Sequence, residues 1–571
     1  MRSTSVPGYK DLYPELDESY DSLIARIPSD TVIAVLIAIN SELNSPDDKI
    51  YTQGRIFNIV KTRFTDEQNL HLFYGFETYN LKCRGGFKGI IFGRRYLIAM
   101  IIKELNNFRH IEDYVDTPLD EYNLFKAYLK IVDEQNANDH LTINFKSLET
   151  DTDPYKEYRL LWLPLLKQYE FNNRPEIIFE LYKTWIFLSY AITNLKEYLK
   201  EYLTAMNLKS AGALLASLQQ ISISGSKQEA PGPFKRLNYI KPIPGADHTH
   251  LDSQTINVMA NQNISISEIK RYPLYLKEGR GYMVIDRDIY QKKIFNGIYF
   301  DLIKETGLKD VLSFNQYSVD LSNFMETNLL QSILRRLSDK KADVLHFDDS
   351  TRGVPDGYLR IGNTIFLFEY KAYMFPERLS ASPDFKEFKE YIDERFVKKG
   401  NVPKGINQLK AQIIQLGTKE FAFDKGTSKD PGRFKIYPIL IHQDFQFSLP
   451  GINRYLNDIF TSDLEACQTK FQVMPIVFLN LENLMDMVIC GKNILFFEQL
   501  IMEYYSHNFN SKIIFNQNPT TSNFLKWNVS FDELYKTQFS QRFSSVDDLP
   551  LLMKEMMEAS GLSIDSLNTE L

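Results

Sequence analysis

A large, mainly helical N-terminal region followed by an α/β core, with a mixed central sheet flanked by helices, is the fold class that three features of the sequence predict. Up to about residue 220, apolar side chains recur at three- and four-residue spacing, the period of helices buried along one face. From about residue 311 the chain turns to short apolar runs: ADVLHFDD, GVPDGYLRIG, NTIFLFEYKAY, RFKIYPILIHQ and FQVMPIVFLNL. Before and between them stand the helical patterns LSNFMETNLLQSILRRLSDKK, KGINQLKAQIIQLG and INRYLNDIFTSDLEACQ. Helix, three strands, helix, strand, helix, strand is the order of a sheet with helices on its faces.

The 571 residues suffice for roughly three or four domains, and 44% hydrophobic with 24% charged residues is a globular composition. The expected division is 1–222, mainly helical; 223–310, a linker and mixed connecting region; 311–490, the α/β domain; and 491–571, a mainly helical extension. The linker is placed at Ser222–Pro233 (SISGSKQEAPGP), which is small, polar and proline-containing.

The apolar run Thr31–Ile39 is far short of the roughly 20 residues that a membrane helix needs. The segment RPEIIFELYKTWIFLSYAITNLKEYLKEYLTAMNL is interrupted by Lys183, Lys196, Glu197, Lys200 and Glu201. Both predict helices of a packed core, the first with Ser29 or Asp30 as its N-cap, and no membrane partner. The N-terminus lacks the apolar core of a signal peptide. Cys83, Cys467 and Cys490 are too few and too scattered for a disulfide framework or a CxxC zinc site, so a cytoplasmic protein is expected. A formal net charge of -7 excludes a wholly basic nucleic-acid coat but not a local basic face.

Two segments look like motifs and carry less. GGFKGIIFGRR, from Gly85, is glycine-rich but has neither a GKS or GKT ending nor GxGxxG spacing, and predicts a turn into a buried element. ADHTHLD offers Asp247, His248, His250 and Asp252, but His-x-His without a distant third ligand is the pattern of a solvated loop.

The chemistry lies in Val354–Lys371 (VPDGYLRIGNTIFLFEYK). Gly362-Asn363 separates two strand-like runs and predicts a tight hairpin. The second strand is apolar up to Glu369, where a buried strand presents first a carboxylate and then an ammonium, at a desolvation cost. Side chains alternate along a strand, so Glu369 and Lys371 share one face and Tyr370 takes the other. Hairpin pairing brings Asp356 beside Glu369. Two carboxylates suit Mg²⁺ (or Mn²⁺), which takes oxygen ligands together with waters and substrate phosphate, and the Tyr370 carbonyl is a further candidate ligand. Phosphodiester hydrolysis fits such a set, with Lys371 holding or deprotonating the attacking water or offsetting transition-state charge. The bland alternative is an exposed cross-strand charge pair on an edge strand, against which the flanking TIFLF run speaks.

Pro355-Asp356 followed by Glu369-Tyr370-Lys371 resembles the PD-(D/E)XK nuclease superfamily, over about residues 315–485. The resemblance implies a restriction-endonuclease-like core and a Mg-dependent endonuclease. Two further positions fit it. Glu326, in the helix before the first strand, resembles the acidic residue that many members place there to assist the metal. Gln408, in INQLKAQ, resembles the glutamine that orients the lysine or the substrate, with Gln412 and Gln415 on nearly the same helical face as substitutes. Glu326 and Gln408 also read as ordinary surface residues. DNA is the expected substrate and RNA the alternative. The basic runs Arg335, Arg336, Lys340, Lys341 and Lys398, Lys399, Lys404, Lys410 are candidates for phosphate contacts, or else solvated faces. A nuclease joined to a large helical region resembles bacterial antiviral defence proteins, the N-terminal region then sensing, conferring specificity, or making homo-oligomer or partner-protein contacts. An RNase, a repair nuclease and a catalytically inactive nucleic-acid- or partner-binding member are the rival expectations.

Overall fold

The computed structural model describes residues 6–43, 49–83, 89–138, 157–158, 162, 177–224, 239–240, 248–279, 281–338, 341–347, 353–376, 378–379, 384–418, 421–427, 429–465, 469–538 and 567–568. The chain divides into two compact units. The first gathers Met1–Asn144, Leu195–Leu308 and Leu567–Leu571; the second gathers Phe145–Asn194 and Lys309–Ser566.

This division differs from the expected one. The helix Ala211–Ser224 runs into the expected linker, residues 225–233 lie outside the described residues, and the chain on both sides belongs to the first unit. The expected connecting region is part of that unit's core. Its strands β1 (Tyr239–Ile240), β2 (Leu274–Lys277) and β3 (Gly281–Val284) form an antiparallel sheet in the order β1-β3-β2. Just beyond β3, buried Asp286 accepts from Asn40 at 2.9 Å and pairs with Arg94 at 2.5 Å. Small polar residues mark a surface turn as readily as a domain junction, and these long-range partners decide between them. Asp247 also lies outside the described residues, while Asp252 accepts the Tyr282 hydroxyl at 2.6 Å.

The helix Ser29–Leu43 begins without the expected cap. The Pro28 carbonyl accepts from Thr31 and Val32, Ser29 Oγ donates to Glu104 at 2.7 Å, and Asp30 accepts the Tyr275 hydroxyl at 2.7 Å. Tertiary partners have taken both candidate side chains. The single helix expected over 174–208 is two among the described residues, Ile177–Asn194 and Lys196–Ala205, which fall in different units. The first is buried on nearly every side, its Lys183 paired with Glu180 and Glu482. No described helix is long and apolar enough to cross a membrane.

The second unit is built on a mixed sheet. β4 (Val344–Phe347), β5 (Gly357–Ile361) and β6 (Thr364–Lys371) pair antiparallel in turn. The chain then makes a separate small hairpin, β7 (Lys398–Lys399) and β8 (Val402–Pro403). β9 (Lys435–His442) pairs parallel with β6, and both β10 (Gln472–Val473) and β11 (Val477–Asn480) pair parallel with β9. The β5–β6 turn is Gly362-Asn363, with Gly362 at φ +54°, a conformation that glycine adopts without Cβ strain. The expected last strand is split at Pro475, which has no N–H to give a ladder.

β6 is interior, between β5 and β9, and both its faces are covered, which is why it is apolar almost throughout. On one face Phe366 stacks with Phe497 of the helix Ile494–Gln517, ring centroids 6.4 Å apart. The helix Gly405–Thr418 lies over the other. The first helix of the expected extension beyond 491 is therefore a covering layer of the same unit, whereas Leu567–Leu571 groups with the first unit. Further along, Asp532 of the helix Phe531–Gln538 accepts the Asn480 N–H at the end of β11 at 2.8 Å.

Candidate active site

The register of β5 on β6 sets the site. Gly357 pairs with Phe368, so one step further out Asp356 lies opposite Glu369 on the same face. β5 ends there, and the Tyr370 N–H donates to Asp356 Oδ2 at 2.6 Å. A strand residue sends its N–H and C=O to the same side, so the Tyr370 carbonyl is directed to the Asp356 edge as well. The Tyr370 ring takes the opposite face, where its hydroxyl donates to Gln443 at 2.9 Å.

Glu369 is 1% exposed. Lys371 Nζ donates to its Oε1 at 2.6 Å, and Gln412 Nε2 donates to its Oε2 at 3.0 Å. The pair does not sit on an edge strand, so the exposed-charge alternative fails on burial. Gln412, rather than Gln408, is the glutamine that reaches Glu369. The two share a helical face but lie about 6 Å apart along the axis, and Gln412 is the one level with the carboxylate. The amide oxygens of both are buried and accept no hydrogen bond among the described residues.

Glu326 opens a π-helical turn, Glu326–Leu330, inserted between the helices Phe314–Met325 and Gln331–Ser338. Such turns are frequent at functional sites. Its charge reaches both Asp356 and Tyr370. Among the described residues no group of three or more His, Cys, Asp and Glu side chains closes to metal-binding distance, and Glu326 acts on Asp356 as a further negative charge.

Burial and the facing Glu369 push the Asp356 carboxyl well above the usual carboxylate range; Glu326 adds to the push, and Lys371 and the Tyr370 N–H oppose it. Burial works to lower Lys371, but Glu369 and Asp356 more than offset it and hold the ammonium above its ordinary value. The donors available to a metal are all oxygen, as Mg²⁺ and Mn²⁺ prefer. Each Glu369 oxygen uses one lone pair, on Lys371 or Gln412, and keeps another. Asp356 Oδ1 accepts no hydrogen bond among the described residues. Crowded carboxylates with unused lone pairs fit a hard divalent cation.

No family model, characterised protein or solved structure matches the chain.

Several neighbours of the cluster escape a reading of the sequence. Gln443 Nε2 donates to the Ala372 carbonyl at 2.9 Å and pins the chain just past Lys371. His442, in register with Lys371, is fully buried, with Nδ1 2.9 Å from the Asp444 carbonyl. Arg395 lies over the Tyr373 ring at 4.8 Å. One signal was available for part of this. Lys371, His442 and Asn480 all end parallel strands, and ligands of α/β sheets gather at the carboxyl ends of strands.

Proposed function

We propose that the second unit is a metal-dependent nuclease that hydrolyses DNA phosphodiester bonds. Mg²⁺ or Mn²⁺ would be held by Asp356, Glu369 and the Tyr370 carbonyl. The observation that carries this is the Asp356–Glu369–Lys371 cluster itself: two carboxylates and an ammonium at the end of an interior strand, in a site where burial raises Asp356 and, against burial, the two carboxylates raise Lys371. When bound, the cation would polarise the phosphate and make an attacking water more acidic. Lys371 and Gln412 fix the Glu369 carboxylate from both sides. The Asp356 carboxylate is fixed by the Tyr370 N–H. Lys371 is held as an ammonium, which favours positioning of the water and offset of phosphorane charge over proton abstraction. The buried Gln412 Oε1 is an acceptor suited to orienting that water.

The test is cleavage of supercoiled plasmid, linear duplex, single-stranded DNA and RNA, each with Mg²⁺ or Mn²⁺ and with a chelator. Metal-dependent cutting of DNA is expected. Cutting of RNA alone would make the protein an RNase, and binding without any cutting would make it the inactive binder. The same assay separates the two glutamines. Gln412→Ala is expected to slow cleavage by about five- to tenfold, the rate equivalent of one hydrogen bond of about 1–1.5 kcal/mol. Gln408→Ala should stay within about twofold of the wild type, since a change of a few tenths of a kcal/mol is that small a factor. The reverse order would return Gln408 to the site.

A further inference from the structure

The β7–β8 hairpin points to how this unit holds its substrate. All six residues Lys398–Pro403 are exposed. Lys398 pairs with Pro403 and Lys399 with Val402 across a two-residue turn whose Gly400 sits at φ +58°. The hairpin is firmly rooted. At its base the Val397 carbonyl accepts from the Lys404 N–H and from Asn407 Nδ2, each at 3.0 Å. Gly405, at φ +36°, closes the root so tightly that a Cβ there would stand 2.5 Å from the Phe396 carbonyl oxygen.

Its charge is unbalanced. KKGNVPK holds three lysines and no acid. Among the described residues Lys398, Lys399 and Lys404 make no ion pair, whereas the nearby Lys386, Lys389 and Lys410 pair with Glu390, Asp393 and Asp463. The tip also presents Val402, an apolar side chain 56% exposed.

The hairpin is tied to the cluster on both sides. The helix Phe385–Phe396 that enters it packs on the chain leaving β6: Phe396 meets Tyr373 with ring centroids 6.0 Å apart, and Arg395 lies over the same ring. The helix Gly405–Thr418 that leaves it carries Gln412 to Glu369. From Lys404 to Gln412 the helix rises about 12 Å, three or four base steps of duplex at about 3.4 Å each.

We infer that the β7–β8 hairpin grips duplex DNA beside the site, with Lys398, Lys399 and Lys404 on backbone phosphates and the Val402 tip toward the major groove. The choice of a nucleic acid as partner rests on the nuclease reading above. A two-stranded ribbon enters the roughly 12 Å wide major groove of B-DNA, and an apolar tip there meets thymine methyl groups. The deep, narrow major groove of an RNA duplex does not admit it.

The experiment measures duplex DNA binding by fluorescence anisotropy across a salt series. It uses the full chain carrying Asp356→Asn to prevent cutting, with and without Lys398→Ala, Lys399→Ala and Lys404→Ala together. Each lost phosphate contact lowers the slope of log K against log salt by about 0.9, so the slope should fall by about 2–3, with affinity at 0.1 M salt down at least tenfold. An unchanged slope overturns the inference, as does equal loss on duplex RNA or an absence of duplex binding by the parent. Wild-type plasmid cleavage is read alongside. Cutting with an unchanged slope removes the hairpin and leaves the active site standing. A fallen slope without cutting leaves the grip standing and removes the active site.

Discussion

Replacing Lys371 by alanine is expected to slow cleavage by about 10²–10³-fold, the cost of removing one donor aimed at transition-state charge. Duplex binding should stay within a few-fold, because one phosphate contact among many contributes little. The variant also strips the ammonium from a Glu369 carboxylate that is 1% exposed. A buried charge that loses its partner is destabilising, so the melting temperature without metal should fall. Added Mg²⁺ should recover more than it does for the wild type, since it would then be the main counter-charge. Lys371→Arg should rescue poorly, because the guanidinium fork is wider and differently shaped than the compact ammonium that donates to Glu369 Oε1. Single-turnover cleavage and melting curves with and without metal check both halves. Near wild-type cutting by Lys371→Ala would take the lysine out of the chemistry.

Asp356→Asn is expected to act in the opposite sense on stability. Asparagine keeps an acceptor for the Tyr370 N–H and removes the charge that Glu369 and Glu326 repel. The carboxyl is held above the ordinary range, so in the wild type the folded protein binds more protons than the unfolded one between the two values. Stability contributed here is therefore lost as pH rises through that window. In chelator at neutral pH the variant should melt at or above the wild type. For the wild type, Mg²⁺ or Mn²⁺ at a hundredfold excess over Kd should add about 2.7 kcal/mol. Asp356→Asn should lose most of that gain, and with it cleavage. An equal metal-induced shift in both proteins would move the metal elsewhere.

What could be read from the sequence divides along the range of the interactions involved. The β5–β6 hairpin was legible because its turn residues, Gly362-Asn363, and its alternation are local. Glu369 and Lys371 were legible because charges at the end of an apolar run conflict with their surroundings. Pairing of Asp356 with Glu369 followed from hairpin register alone. Gln412 was not separable from Gln408, since helical periodicity fixes the face and not the level along it. The unit boundaries were not legible either. Ser222–Pro233 has the composition of a linker, but membership of the first unit is decided by contacts such as Asn40 with Asp286, 246 residues apart. Leu195 interrupts a pattern whose period continues through it, so one helix was expected where two form. The helix Ile494–Gln517 looked like an appendage because its role as a layer depends on Phe497 meeting Phe366.

The most direct measurement is nicking and linearisation of supercoiled plasmid by the wild type and by Glu369→Gln, in Mn²⁺ and in chelator. Glutamine nearly preserves the size of a side chain packed at 1% exposure, so folding is expected to survive, and circular dichroism and melting verify it. The wild type should cut only with metal, and Glu369→Gln should leave the plasmid intact under both conditions. A wild type that leaves DNA and RNA uncut in Mg²⁺ and Mn²⁺, or a folded Glu369→Gln protein that cuts as fast as the wild type, would contradict a nuclease centred on Asp356, Glu369 and Lys371.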